Sequence, residues 1–375
     1  MNRPTVLVLM GCFGRGIEAT GPNQSMIGIA RTLGDKFDFR IIAEAVEGDK
    51  VGEWQTVSDI PQMPIPKGLA GSRHLLAAIR ATPHDILLTN GFFDRTMTLA
   101  MLIWRKLGMI PQRPTFVAPH GEFSAGALGL KSARKRMYAA ALKKSGMLND
   151  VSFIATNDAE ADAIRSEGDF GRPIFVCPTI RPLPPMPEVE AAPADGPLRM
   201  VFASRIDYMK NLDFAIHAAG QSGAEIVFNI YGPVSSDQFW EQCQEMMAKA
   251  PDNLTVSYKG ILRQSEILQV LANHDIMFLP TLGENFGHAI ADALLAGTPV
   301  LISDRTPWRG LTEAMAGWDF PLEQPAQFIA AIRQFDTLTV DERAKWRRSA
   351  RAFAESQLDT KAAMDALESA LTSQS

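Results

Sequence analysis

The sequence predicts an α/β protein built from two Rossmann-like, doubly wound parallel-sheet domains. Three observations predict this. The chain has 375 residues, more than one ordinary core serves. Short apolar runs that end in polar or glycine-bearing loops alternate with amphipathic stretches from the first residues onward. Between Pro178 and Pro197 this texture gives way to a proline-rich, acidic stretch, PTIRPLPPMPEVEAAPADGP, and then restarts.

Each element follows from its pattern. TVLVLMG (Thr5–Gly11) is a buried strand entering a glycine-bearing loop, and MIGIARTLGDKF (Met26–Phe37) has a helical period. FRIIAEA, ILLTNG, TFVAPHG, SFIATN and IFVCPT read as further short strands of the first half. In the second half LRMVFASR, EIVFNIYG, NLTVSYKG, IMFLPT and PVLISD read as strands, with helices in NLDFAIHAAG, QSEILQVLANH and HAIADALLAG. The expected division is a first domain over residues 1–180, a proline-stiffened linker over 181–197, and a second domain over 198–355. In such sheets ligands sit beyond the carboxyl ends of strands, so a cleft fed by post-strand loops is expected.

Composition removes several classes. Net charge is −5: residues 1–195 carry 22 basic and 20 acidic side chains, residues 196–375 carry 15 and 22. This is not the balance of a nucleic-acid binder, though it leaves room for a local basic patch in the first half. Cys12, Cys177 and Cys243 are far apart and form no metal spacing, so neither a disulfide framework nor a zinc site is expected, and a reducing cytoplasm fits. Val6–Met10 is too short for the core of a signal peptide, and no apolar run reaches the roughly 18 residues of a membrane span.

Three loops hold candidate chemistry. In FASRIDYMKNLD, Arg205 and Lys210 lie between a strand and a helix, where two cations can meet a diphosphate; they also fit two surface cations at a helix start. In LGENFGHAIADALLAG, Glu284 stands between Gly283 and Gly287 ahead of a nearly all-apolar helix that carries His288 and Asp292 four residues apart. Glycines let backbone N–H groups approach a ligand. Glu284 also fits a helix-start carboxylate and Asp292 a member of an ordinary helical pair. In VAPHGEFS, His120 follows a strand.

In combination these motifs resemble retaining glycosyltransferases of glycosyltransferase family 4, which have the two-domain GT-B fold. The order SRIDYMKNLD, YGP, YKGIL, LPTLGENFGHAIADALLAGTPV is that family's order, and APHGEFS is similar to its His-Gly loop. Two positions depart: Asp292 stands where the family has a second glutamate, and Gly21-Pro22 replaces paired glycines after the first strand. The resemblance implies a nucleoside-diphosphate sugar as co-substrate, with no cofactor and no metal. It makes Arg205 and Lys210 the diphosphate-binding cations, Glu284 the contact to donor-sugar hydroxyls, and Asp292 the contact to the ribose. It places Gly283 and the backbone of Asn285, Phe286 and Gly287 against sugar or phosphate oxygens. Tyr231, Gly232, Gly260 and Ile261 would flank the base, Gly21 would approach phosphate, and His120 would lie near the reacting sugar. It also implies a last helix, within 356–375, that returns to the first domain.

The acceptor would be a saccharide or a lipid-linked saccharide, in cell-surface polysaccharide or glycolipid synthesis. LGLKSARKRMYAAALKKSGML (Leu128–Leu148) carries six cations from Lys131 to Lys144 and no acid. It reads either as a helix lying on an anionic membrane surface or as a solvated face. The rivals are a nucleotide-sugar epimerase or a phosphorylase of GT-B shape, and a two-domain sugar-binding protein without catalysis. A dinucleotide oxidoreductase is disfavoured, because Gly11, Gly14 and Gly16 miss the GxGxxG spacing.

Overall fold

A computed structural model describes residues 3–18, 20–123, 132–167, 172–181, 183–188 and 196–373. The chain divides into two compact units, Met1–Pro182 with Asp359–Ser375, and Leu183–Leu358.

The first unit is an eight-stranded sheet of order β3-β4-β2-β1-β5-β6-β7-β8. Its strands are β1 Thr5–Met10, β2 Asp38–Glu44, β3 Gln55–Val57, β4 Ile60–Ile65, β5 Ile86–Asn90, β6 Thr115–Ala118, β7 Val151–Ala155 and β8 Ile174–Val176. All neighbours pair in parallel except β3 and β4. Alternation along β1 splits the core: Leu7 and Leu9 face one side of the sheet, Val6, Val8 and Met10 the other. Helices α1 Gly21–Leu33, α2 Leu69–Ala81, α3 Ala100–Lys106, α4 Ser132–Lys144 and α5 Asp158–Ser166 complete the windings. Strand order reverses beside β1, so the loops after β1 and β5 meet at a switch point. There, a side chain at Gly11 would lie 2.8 Å from an Asp94 carboxylate oxygen.

Two local expectations change. Helix α1 begins at Gly21, five residues before the predicted Met26, because Pro22 falls in the first turn, where its missing N–H costs nothing. The β3–β4 hairpin is absent from the strand reading. Pro61 and Pro64 inside β4 hide it, and its two-residue turn uses Ser58 and Asp59, both at positive φ, rather than a glycine.

The second unit is a six-stranded, all-parallel sheet of order β11-β10-β9-β12-β13-β14. Its strands are β9 Leu198–Ala203, β10 Ile226–Tyr231, β11 Leu254–Tyr258, β12 Ile276–Leu279, β13 Val300–Ser303 and β14 Gly317–Phe320. Its helices are α6 Leu212–Gln221, α7 Asp237–Ala248, α8 Ile267–Ala272, α9 His288–Leu295, α10 Pro325–Asp336 and α11 Val340–Gln357. The strand order reverses beside β9, which sets the loops after β9 and β12 side by side.

Helix α11 starts in a reciprocal capping box between Thr339 and Glu342. It runs to Gln357, two residues beyond the predicted domain end at 355. The last helix, α12 Thr360–Thr372, packs on the first unit's sheet through Ala363, Leu367, Ala370 and Leu371, one helical face. Lys36 pairs with Glu368 beside it. Of the expected linker, residues 182 and 189–195 lie outside the described residues. The Pro184 carbonyl accepts from Arg351 at 2.7 Å and that of Glu188 from Gln269 at 2.8 Å, so part of this stretch is fixed to the second unit.

Candidate active site

Twelve of the fourteen predicted residues lie in the second unit, where hydrogen bonds join Lys210 to Glu284 and Gly232 to Gly260. Ala203 ends β9, and the chain continues through Arg205 into a 3-10 turn, Tyr208–Lys210. Asp207 caps that turn by accepting from the Lys210 N–H at 3.2 Å, and pairs with Arg205 at 3.4 Å. Asn211 then takes a left-handed conformation, φ +58°, and turns the chain into α6. Asparagine is among the few residues that adopt it readily.

This loop is stitched to the loop after β12. Asn211 Nδ2 donates to the Pro280 carbonyl at 3.0 Å, while the Leu282 N–H and the Thr281 hydroxyl both donate to the Met209 carbonyl, at 2.8 and 2.9 Å. Lys210 Nζ donates to Glu284 Oε1, and the two side chains are only 12% and 13% exposed. The lysine and the glutamate, 74 positions apart in sequence, therefore form one ion pair at the switch point of the sheet. Glu284 is not the cap of α9: Gly287 holds the N-cap position, at φ +80°.

The lysine ammonium has three protons, and Glu284 takes one. The pair fixes the direction of the ammonium while leaving donors for other oxygens. The carboxylate likewise keeps lone pairs for hydroxyl donors. Arg205, more than half exposed and paired with Asp207, adds a guanidinium nearby in sequence.

Around the pair, the Gly283–Gly287 loop is held from behind. The Trp308 indole donates to the Phe286 carbonyl at 2.6 Å, and the Glu284 N–H donates to the Arg305 carbonyl at 3.1 Å. A Cβ at Gly287 would press Ile290 at 3.0 Å and the Trp308 indole at 3.3 Å. Asp292 projects from α9, 4% exposed, on a helix whose residues from Ile290 to Leu295 are all buried.

Tyr231 and Gly232, at the end of β10, meet Gly260 after β11. The Gly232 N–H donates to the Gly260 carbonyl at 2.9 Å, and the Tyr258 hydroxyl to the Gly232 carbonyl at 3.0 Å. Gly232 has φ +137°, and a Cβ there would lie 1.9 Å from the Ser204 carbonyl oxygen, so only glycine lets β9 and β10 exit so closely. Ile261 is two-thirds exposed beside it.

His120 and Gly21 belong to the first unit. His120 follows β6 at φ +50° and, with Ser25 of α1, Asn90 and Thr156, lines an apolar hollow at the carboxyl ends of the strands. Burial lowers its pKa, against an opposing pull from Glu160. Glu160 accepts from the Gly121 N–H and from the Thr156 N–H and hydroxyl, both at 2.7 Å, and so fixes the loop that presents the histidine. Gly21 opens α1 and is half buried. Asp207, Asn211, Thr281, Trp308 and Glu160 were not singled out by sequence. A capping signature, Asn157-x-x-Glu160, marks only the last.

Helix α4 keeps the predicted cations Arg134, Arg136, Lys143 and Lys144 exposed, and Lys131 lies outside the described residues. Its apolar positions divide. Tyr138 and Leu142 face the core, whereas Met137 is 71% exposed. Lys135 sits over the Phe93 ring at 4.9 Å. Among the described residues no helix is long and apolar enough to cross a membrane, and no cluster of His, Cys, Asp and Glu could hold a metal.

The architecture is that of GT-B glycosyltransferases. Residues 188–353, which contain Arg205, Lys210, Glu284 and Asp292, match the family model described as glycosyl transferases group 1. Similar solved structures include Anabaena HepE in complex with UDP and glucose (TM-score 0.71, 15% identity, 99% of this chain and 100% of that one). Sucrose-phosphate synthase from Thermosynechococcus elongatus (TM-score 0.70, 14% identity, 98% of each chain) is another. A third is WaaG, a glycosyltransferase involved in lipopolysaccharide biosynthesis (TM-score 0.67, 14% identity, 98% and 99%). No curated protein matches the chain.

Proposed function

We propose that this protein is a retaining, metal-independent hexosyltransferase of glycosyltransferase family 4 type. It moves a sugar from a nucleoside-diphosphate sugar to a saccharide or lipid-linked acceptor in cell-surface polysaccharide or glycolipid synthesis. The observation that carries the reading is the Lys210–Glu284 pair at the second unit's switch point, inside the stretch that matches glycosyl transferases group 1. HepE, of the same fold, is a structure with UDP and glucose bound.

In this reading Lys210 and Arg205 balance the charge that grows on the departing diphosphate, the task a metal performs in other designs. The N–H groups of Asn285, Phe286 and Gly287 and of the start of α9 add donors for its oxygens. Glu284, held by Lys210, accepts from donor-sugar hydroxyls. Asp292 accepts from the ribose hydroxyls. Tyr231, Gly232, Gly260 and Ile261 flank the base. The acceptor is assigned to the first unit, with His120 orienting sugar or acceptor and Gly21 near phosphate. Burial favours the neutral imidazole, which can accept a hydroxyl proton at neutral pH. The cations of α4 would hold the protein on an anionic membrane surface from the cytoplasmic side.

Calorimetric titration with UDP-, GDP- and dTDP-sugars tests the reading. One nucleotide class is expected to bind in the micromolar range with EDTA present, and turnover with acceptor is expected to keep the anomeric configuration. Failure of every nucleotide sugar to bind sinks it.

A further inference from the structure

The opposite edge of the first unit's sheet carries a cleft that the proposed transfer does not use. Strands β6, β7 and β8 are parallel neighbours, so the chain segments that enter them gather at one edge. His120 and Thr156 lie at the other edge, a strand length of roughly 13–17 Å away. The entering segments supply Gln112 and Arg113 before β6, Asp150 before β7 and Arg172 before β8; Arg105 comes from the last turn of α3 and Ser373 from the end of α12. Together they line an open cleft of about 420 Å³, within the size range of small-molecule sites.

Its charge is unbalanced. Three guanidinium groups share one carboxylate. Asp150 is already engaged by Arg172, at 2.6 Å, and Arg172 Nε donates to the Asn149 carbonyl at 3.1 Å. Arg105 has a buried Nε with no hydrogen-bond partner among the described residues. Burial weakens its hold on its proton; Asp150 opposes this and the charge of Arg172 adds to it. The Arg113 guanidinium makes no hydrogen bond or ion pair among the described residues. Three cations crowded into a concave site repel one another, and an anion would relieve that repulsion. A phosphoryl dianion matches the excess of two positive charges, and the planar forks of arginine suit its oxygens.

We propose that Arg105, Arg113 and Arg172 form a second, non-catalytic site for a small phosphate monoester, with Gln112 and Ser373 at its rim. This site does not rest on the donor reading. It stands on the other edge of the sheet and would operate with any substrate.

Titration of the full chain with inorganic phosphate and phenyl phosphate tests the proposal, followed by calorimetry and by phosphorus NMR. The titrations use the Lys210→Met background, so that a phosphate subsite at the donor loop does not contribute. Arg113→Gln and Arg105→Gln are each expected to weaken phenyl phosphate binding by about 10- to 100-fold, the effect of one charge-assisted contact. Binding of UDP to otherwise unaltered protein should be the same with Arg113→Gln, whose side chain is exposed and makes no hydrogen bond or ion pair among the described residues. Unchanged phenyl phosphate affinity in both variants overturns the proposal, as does no binding at all in the Lys210→Met background. So does loss of co-sedimentation with phosphatidylglycerol vesicles without any change in phenyl phosphate affinity, which would make the cleft a lipid-facing patch.

Discussion

The Lys210–Glu284 pair invites a double-mutant cycle, because it is expected to serve folding and chemistry at once. Lys210→Met keeps most of the side chain's volume and removes its charge; Glu284→Gln keeps the shape and removes the negative charge. With the two side chains only 12% and 13% exposed, each single change leaves an ion that water reaches poorly. Breaking a fully buried pair costs about 3–5 kcal/mol, and the residual exposure here lowers that to about 2–3 kcal/mol. Replacing both removes the orphaned charge, so the double variant is expected to lose about 2 kcal/mol less than the sum of the singles. Trp240, Trp308, Trp318 and Trp346 all belong to this unit, so their fluorescence reports its chemical unfolding.

Turnover should behave differently. Lys210→Met is expected to lower it by roughly 10²- to 10³-fold, the scale of removing one donor to a developing oxyanion. The double variant should recover stability and not recover turnover. Glu284→Gln should still bind the bare nucleoside diphosphate, since its contact is to the sugar. Two results refute the reasoning. Stability losses that add to within about 0.5 kcal/mol mean that the pair is not coupled. Near-normal turnover in Lys210→Met means that the lysine is a strut and nothing more.

Other expectations are more local. Asp292→Ala should weaken nucleoside-diphosphate binding by roughly tenfold or more and leave sugar preference alone, and an unchanged isotherm would remove the ribose role. Gly232→Ala should destabilise the second unit by about 3 kcal/mol, read as a fall in unfolding midpoint, because its Cβ would meet the Ser204 carbonyl at 1.9 Å. Reversing Arg134 and Arg136 to glutamate should reduce co-sedimentation with anionic vesicles and spare UDP binding; equal sedimentation would argue against a membrane role for α4. Burial lowers the pKa values of His84 and His274, so the folded chain binds fewer protons than the unfolded one below the ordinary histidine value of about 6.5. That contribution to stability is complete above about pH 6.5 and is lost as pH falls toward the lowered values; a Tm indifferent to pH between about 5 and 7.5 would contradict it.

Much of the fold is legible in the sequence because parallel strands buried on both faces read as nearly unbroken apolar runs, as in β1, β12 and β13. Where proline breaks a run the signal fails, although the physics allows the element. Pro22 sits in the first turn of α1, and Pro61 and Pro64 sit in β4, close to the sheet edge. Strand order is a different matter. No period in the chain says that β12, rather than β10 alone, lies beside β9, yet that adjacency sets the lysine loop against the glutamate loop.

The same distinction governs the site. Arg205, Lys210 and Glu284 carry charge after strands, and charge in such places is visible in one dimension. The residues that aim them are ordinary in sequence: Asn211 turns the chain at positive φ, Thr281 and Leu282 bind the Met209 carbonyl, and Trp308 holds Phe286. Their importance lies in contacts between segments some 70 residues or more apart, or across a loop and the strand behind it. It follows that substitutions in this supporting set should perturb the direction of the Lys210 ammonium without touching its charge. Asn211→Ala is the sharpest case. Alanine takes the left-handed conformation less readily than asparagine and gives no bond to the Pro280 carbonyl, so the lysine loop would loosen from the glutamate loop. If catalysis depends on that alignment, turnover should fall by more than nucleotide affinity does; equal losses in both would mean that Asn211 serves only to hold the fold.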